Sequence, residues 1–257
     1  MHPQPKSKFE ELTEQINQLH TAADGAELEI QRIRSEVDRL MQTDPAQSHA
    51  LHGALAALTE DPQEVRRRFG IALKMKPHDP ILWCNYSAML YWMGFFSEAC
   101  PAARRAHELA PTNLGFLDEL ISQLARALRF VEANKLLTTR DALNPEKPFD
   151  ESESIGTIGR FVQERGIDDD SAARVMIAAM QVMHDSGVFR VVPSLELLSD
   201  EETEWLSGRL NVHRSLDEVM RLNESLAENL ASNNLRDTVI ENVVLMFMPL
   251  EDNGDHA

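Results

Sequence analysis

The sequence predicts a mainly α-helical protein with a small α+β domain toward its C-terminal end. Three observations support this fold class. Apolar residues recur at alternating steps of three and four over residues 7–42, which is the spacing of one helix face. Prolines then recur every 34 residues, at Pro77, Pro111 and Pro145. Beyond residue 148, strand-like runs alternate with helix-start signals, a combination typical of a small α+β domain.

Residues 1–45 form the first predicted segment, a coiled-coil helix. Ser7 and Glu10 fit a capping box, in which each side chain accepts a hydrogen bond from the other residue's backbone amide. The apolar positions that follow keep heptad spacing, which is typical of a helix buried against another helix. The larger of these positions form a predicted dimer seam: Phe9, Leu12, Ile16, Leu19, Ile30, Ile33, Val37 and Leu40.

The heptad spacing runs through Asp24 and Gly25, although glycine costs a helix about 1 kcal/mol relative to alanine. Two main interpretations remain open. In the first, one continuous helix over residues 7–42 forms a homodimer through the seam. In the second, the chain turns at Asp24 and Gly25, and the resulting helical hairpin packs on the next domain. A lone amphipathic helix lying on that domain is a third alternative.

Residues 46–147 contain three copies of one helical-hairpin pattern. Each copy closes on one of the three prolines, which stop a helix because proline lacks an amide hydrogen and disfavours helix in the residue before it. The middle copy is the clearest, with Trp83 on its first helix and Gly94 at its turn. Small residues on its second helix allow close packing; they are Ala99, Ala103 and Ala106.

This pattern resembles the tetratricopeptide repeat, a helical hairpin with a 34-residue period that stacks into a solenoid. The resemblance divides residues 46–147 into three repeats, 46–79, 80–113 and 114–147. The third repeat departs from the family pattern at Arg140, where a small residue is usual. We therefore expect the last hairpin to pack loosely or to abut another element.

The resemblance also implies a concave groove, lined by the first helix of each hairpin, that takes up a partner peptide. Aromatic residues and arginine dominate binding hot spots, and here Tyr91 and Trp92 stand with Arg126. The alternative is that Tyr91 and Trp92 pack under the protein's own N-terminal helix. No carboxylate clamp is expected, because only Asn85 matches its positions. The predicted groove residues are Ala54, Leu58, Ile81, Cys84, Asn85, Ala88, Tyr91, Trp92, Asp118, Ser122 and Arg126.

Residues 148–250 form the predicted acidic α+β domain, and residues 251–257 a predicted disordered tail. Helices are expected near 152–165 and 169–185, followed by β-rich runs at 188–192 and 195–198. A short helix is expected to begin at Ser199 and to contain Trp205, before a strand at 210–213. Ser215 and Glu218 fit a capping box that opens another helix, and residues 239–248 are the strongest strand candidate.

Charge and cysteine content restrict the class of protein. The net charge of −17 disfavours general binding to nucleic acid or to an anionic membrane surface. Residues 148–257 alone carry 22 acidic and 8 basic side chains. The polar N-terminus predicts no signal peptide, the two cysteines predict a reducing compartment, and the apolar runs are too short to span a membrane. We therefore expect a cytoplasmic protein.

Together these patterns predict a protein-interaction adaptor or chaperone-like binder, not an enzyme, that takes a partner peptide and needs no cofactor or metal. Two alternatives stay open. In one, the protein is a regulatory inhibitor whose acidic C-terminal domain covers a basic target surface. In the other, residues 148–250 hold an enzyme or small-ligand site around Arg190, Trp205, His213 and Arg214, and the repeats recruit the substrate.

Overall fold

The computed structural model describes residues 7–21, 27–233 and 235–250. Within these ranges the chain is mainly α-helical with one three-stranded sheet, which confirms the predicted fold class. The helices are α1 (Lys8–Thr21), α2 (Glu27–Leu40), α3 (Pro45–Leu58), α4 (Pro62–Met75), α5 (Pro80–Trp92), α6 (Phe96–Leu109), α7 (Leu114–Arg126), α8 (Phe130–Leu143), α9 (Ser152–Glu164), α10 (Asp169–Asp185), α11 (Leu216–Ser232) and α12 (Asp237–Asn242). The strands are β1 (Val192–Ser199), β2 (Glu204–Val212) and β3 (Val243–Pro249).

The N-terminal segment is a helical hairpin and not one continuous helix. The capping box at its start is confirmed, since the Ser7 amide donates to Glu10 Oε2 at 2.7 Å and the Glu10 amide donates to Ser7 Oγ at 3.2 Å. Helices α1 and α2 run antiparallel, because Lys8 Nζ lies 2.6 Å from Glu36 Oε2 near the far end of α2. The predicted turn at Asp24 and Gly25 lies outside the described residues.

The predicted dimer seam faces this chain's own core, so the interpretation of a seam between two copies is revised. Leu12, Ile16, Ile33 and Val37 are fully buried, and they share a hydrophobic cluster with α3, α4 and α5. Phe9 is buried in the same cluster, and Leu19, Ile30 and Leu40 pack against it. The heptad pattern identified the buried face correctly, but α1 and α2 bury it against α3 and each other.

The middle of the chain consists of three helix pairs, α3–α4, α5–α6 and α7–α8, packed side by side. The second helices begin at Pro62, Phe96 and Phe130, 34 residues apart. An aspartate caps each of the first three helices of this region, and the proline after it fits the first helical turn because that position needs no amide hydrogen.

Ends and turns of these pairs follow the expected chemistry. Helices α4, α6 and α8 each end two residues before one of the three periodic prolines. Gly94 turns the chain between α5 and α6 with φ of +75°, a left-handed conformation that favours glycine. A side chain at this position would also meet α10, because an added Cβ would lie 2.6 Å from Met183 Cε.

Arg140 does not loosen the last hairpin. Its side chain is only 3% exposed, and its guanidinium pairs with Asp118 on α7, with Nε 2.8 Å from Oδ1. The same guanidinium donates to the backbone carbonyl of Lys147 and lies over the ring of Phe149. Of the two sequence-based expectations, the structure has the second, in which Arg140 abuts another element, the segment that leads into α9.

The C-terminal residues form a sheet of order β1-β2-β3 that rests on helices. Strands β1 and β2 pair antiparallel, and β3 pairs parallel with β2 after a crossover through α11 and α12. The capping box of Ser215 and Glu218 at the start of α11 is confirmed. The inner sheet face packs on α10 and α11.

Three local predictions in this region were wrong. No helix begins at Ser199; the Asp200 carboxylate instead accepts hydrogen bonds from the amides of Glu202 and Thr203, closing a hairpin turn. Trp205 therefore lies in β2. Residues 237–242 form α12, so the last strand begins only at Val243, and most of the β-rich run at 188–192 precedes β1.

Helix α10 ties the C-terminal residues to the helix pairs. The Asp169 carboxylate accepts hydrogen bonds from the amides of Val131 and Glu132 at the start of α8, both at 2.9 Å. At the other end of α10, His184 Nε2 lies 2.8 Å from the carbonyl oxygen of Met93 beside the α5–α6 turn. One hydrophobic cluster runs from α6 to β3, so a continuous core spans the predicted domain boundary near residue 147.

No described helix is both long and apolar enough to cross a membrane.

Candidate binding cleft

A cleft of about 700 Å³ lies between α1 and the start of α5. We call it the α1–α5 cleft. Two predicted groove residues, Ile81 and Asn85, line it. The residues around it are Ser7, Phe9, Glu10, Thr13, Glu14, Asn17, Gln18, Gln47, Asp79, Ile81, Leu82 and Asn85.

Packing of α1 on α3 creates this cleft. Phe9, Leu12 and Ile16 bury one face of α1, and the neighbouring flank of the same helix, with Thr13 and Asn17, is left facing α5. Side chains three and four positions apart share a helix face, so these residues form a short ridge along the cleft. The opposite wall is fixed because Asp79 caps α5 by accepting hydrogen bonds from the amides at its start.

The cleft combines carboxylates, carboxamides and one exposed apolar side chain. Its acidic residues are Glu10, Glu14 and Asp79, and none of the described residues that line it is lysine or arginine. Ile81 is 49% exposed there. Carboxamide side chains both donate and accept hydrogen bonds, as the backbone of an extended peptide does. The arrangement therefore suits a peptide with a basic residue and an apolar residue.

A smaller hollow of about 50 Å³ lies beneath the cleft. Predicted groove residues Ala54, Asn85 and Ala88 line it, together with Thr13 and Asn17 of α1. Ala54 is only 9% exposed, because α1 covers the helix that carries it. The N-terminal helix thus occupies the part of the predicted groove formed by α3.

The far end of the predicted groove is occupied by the chain's own residues, which revises the prediction for Ser122 and Arg126. Arg126 Nη2 lies 2.9 Å from Glu151 Oε1, and Ser122 Oγ donates to the same oxygen at 3.1 Å. Arg126 also lies 5.6 Å from the ring of Tyr91. Asp118 is taken up by its ion pair with Arg140.

Tyr91 does not lie under the N-terminal helix, where one interpretation placed it together with Trp92. The Tyr91 ring packs against Phe96, with centroids 5.2 Å apart, and belongs to the C-terminal hydrophobic cluster. Burial raises the pKa of Tyr91 to about 12, with Arg126 opposing that rise. Trp92 is half-buried and already interacts with other residues. Tyr91 and Arg126 are therefore part of the chain's own packing.

The two other predicted groove residues are also largely covered. Leu58 packs against the N-terminal hydrophobic cluster. Burial, with a smaller contribution from Glu119, raises the pKa of the Cys84 thiol to about 12. That thiol stays protonated at neutral pH and lacks the thiolate that nucleophilic chemistry requires.

Sequence reasoning missed the α1 side of the cleft, including Thr13 and Asn17, and also Gln47 on α3. The heptad analysis assigned α1 to a dimer, so its polar flank carried no predicted role. The polar positions next to the apolar stripe were the available signal, but sequence alone did not say which element they would face.

A second cavity, of about 610 Å³, lies between α6 and α10 and contains none of the predicted groove residues. Two of its carboxylates are held by arginines: Glu98 lies 2.7 Å from Arg66, and Glu132 lies 2.5 Å from Arg104. Across the described ranges, no group of three or more His, Cys, Asp or Glu side chains is placed to hold a metal ion.

No protein-family model matches the sequence. No curated protein matches it either.

Proposed function

We propose that this protein is an interaction module of the tetratricopeptide type that binds a peptide segment of a partner protein in the α1–α5 cleft. The observation that carries the proposal is the open cleft itself, which lies where the first helices of the hairpins make a groove and which exposes Ile81 among polar side chains. Helices that repeat at 34 residues and stack in pairs support the repeat assignment.

The bound segment is short and carries a basic residue. Because α1 covers α3 and Glu151 occupies the α7 end, only the α5 portion of the groove is open. The segment's basic side chain lies near Glu14 and Asp79, its apolar side chain rests on Ile81, and Asn17 and Asn85 bond its backbone. A net charge of −17 favours such a protein partner over nucleic acid.

The setting that fits this proposal is the cytoplasm. Cys84 and Cys100 are both free thiols. Burial raises the pKa of both, that of Cys100 to about 11, so neither is poised for oxidation. Two free thiols, with Cys100 buried and Cys84 partly buried, are typical of a reducing compartment.

Selection from a displayed random-peptide library tests the proposal. The affinity of the selected peptides is measured by calorimetry for two variants, Ile81→Asp and Leu143→Asp. Leu143→Asp is the control, because it places the same charge on an apolar residue of α8 that is 59% exposed and lies outside the cleft. We expect selected peptides to carry lysine or arginine and to lose about tenfold in affinity with Ile81→Asp only. Equal binding to both variants, or no selected peptide, contradicts the proposal.

A further inference from the structure

The three-stranded sheet has one face covered by helices and one face open. The inner face, with Leu206, Leu210 and Phe247, is fully buried against α10 and α11. The opposite face, which we call the outer sheet face, carries the alternate residues of each strand because successive side chains in a strand point to opposite sides. Sheets made only of parallel strands are almost always covered on both faces, whereas antiparallel sheets commonly leave one face open. This sheet contains one pair of each kind, and its outer face is open.

Apolar side chains form a stripe along β3 on the outer sheet face, and others stand at the two ends of that face. On β3, Val244, Met246 and Met248 are 39%, 38% and 37% exposed. Strand register places Met248 in one row with Asn211 and Val192, and Val192 is 57% exposed. At the other end of the face, Leu198 pairs with Trp205, which brings six apolar side chains onto one surface: Val192, Leu198, Trp205, Val244, Met246 and Met248.

Polar groups within the outer sheet face are already satisfied. Arg209, in the middle of β2, forms an ion pair with Glu196 on β1, with Nη2 2.6 Å from Oε1. This pair neutralises the one basic residue that the described strands place on the face, so the centre of the surface carries no net charge.

The free edge of β3 is closed to an added strand. The side chain of Asn223 on α11 donates to the carbonyl oxygen of Phe247 at 2.9 Å and accepts from the amide of Phe247 at 2.8 Å. A carboxamide thus takes the place that the backbone of a neighbouring strand would occupy, which is one way that proteins protect sheet edges. The β3 edge is thus closed at Phe247, and β1 forms the other edge of the sheet.

Carboxylates cluster at one end of the apolar stripe, beside Leu198 and the start of β3. Four exposed acidic residues lie at the β1–β2 turn and the start of β2, at Asp200, Glu201, Glu202 and Glu204, and Glu241 is exposed just before β3. Residues 148–257 carry 22 acidic against 8 basic side chains. Two copies meeting through this face would bring their acidic clusters together, and like charges at an interface oppose association.

We propose that the outer sheet face is a docking surface for a cationic amphipathic helix of a partner protein. Such a helix lays its apolar side on Met246 and the neighbouring stripe, and lysines or arginines at one of its ends meet the carboxylates clustered beside the start of β3. The bound helix covers the outer face of the sheet as α10 and α11 cover the inner face, so that the sheet lies between two helical layers. This surface shares no residue with the α1–α5 cleft, so the proposal does not rest on the proposed function.

A methionine-labelled sample tests the docking directly. The intact protein carrying ¹³C methyl groups on methionine is titrated with an 18-residue amphipathic peptide of leucine and lysine, and then with its leucine and glutamate counterpart. We expect the first peptide to shift the Met246 and Met248 signals and to leave the buried Met183 signal in place, and the second peptide to shift none. Shifts spread over methionines elsewhere, or no shift, overturn the proposal.

Matched variants separate this surface from general attraction to an acidic protein. Met246→Lys and Met220→Lys change the charge equally, and Met220 is 55% exposed on α11, outside the sheet. We expect Met246→Lys to weaken binding about tenfold and Met220→Lys and Ile81→Asp to weaken it less than about twofold. Equal losses for both lysine variants overturn the proposal. So does sedimentation that shows a wild-type dimer dissociated by Met246→Lys, because the occupant would then be a second copy.

Discussion

Replacing Leu12 by alanine tests whether α1 packs inside its own chain. Leu12 is fully buried, and Leu28, on α2, is 87% exposed and provides a control with the same chemical change. The change removes about three buried carbon groups, worth about 2.4 kcal/mol at about 0.8 kcal/mol each, and the cavity left behind brings the loss to about 3 kcal/mol. The control should stay within about 0.5 kcal/mol of the wild type.

Urea denaturation followed by circular dichroism at two protein concentrations measures both quantities. We expect the free energy of unfolding to fall by about 3 kcal/mol for Leu12→Ala, with midpoints that do not depend on concentration. Midpoints that rise with concentration would mean that the seam joins two copies, because association stabilises the folded state by mass action. A loss for Leu12→Ala no larger than that for Leu28→Ala would mean that α1 is not packed at all.

Three further predictions concern the turns, the buried ion pair and the response to pH. Gly94→Ala should destabilise the protein by roughly 1–3 kcal/mol, because φ of +75° is strained for alanine. Gly70→Ala, in the interior of α4 where an added Cβ meets no other atom, should stabilise the protein by about 0.5–1 kcal/mol. Thermal denaturation of both variants checks that the two effects have opposite signs. Asp118→Ala should cost about 3 kcal/mol, since it leaves the buried Arg140 guanidinium without its carboxylate, and adding Arg140→Met should recover part of that loss in urea denaturation. Burial lowers the pKa of His184 below its ordinary value of 6.5. As the pH falls, the imidazole is therefore protonated in the unfolded chain before it is protonated in the folded protein, and the free energy of unfolding decreases below about pH 6.5. His184→Gln should show a shallower decrease over the same pH range, and an unchanged slope would contradict this account.

Local chemistry made the helices readable from sequence. The capping boxes at Ser7 and Ser215 mark observed helix starts, and the periodic prolines stand two residues beyond observed helix ends. These signals depend on residues within four positions of one another, so no knowledge of the fold is needed to interpret them.

Long-range packing could not be read in the same way. The heptad spacing gave the buried face of α1 and α2 but did not identify α3 as the surface that it meets. Glu151 reaches Ser122 across 29 residues and fills the predicted groove, a contact that no local pattern announces. The predicted strand at 239–248 begins with the β-branched Val239 and Ile240, yet both lie on a short helix, because tertiary packing overrides weak local preference.

Hydrogen exchange measured on the intact protein, with and without a peptide selected for binding, tests the central claim most directly. If the α1–α5 cleft is the binding site, amides of α1 and of the first turns of α5 should exchange more slowly in the complex, and those of α7 and the sheet should be unchanged. Protection confined to α7, to the sheet or to α10 would contradict the account, because the peptide would then bind at a surface other than the cleft.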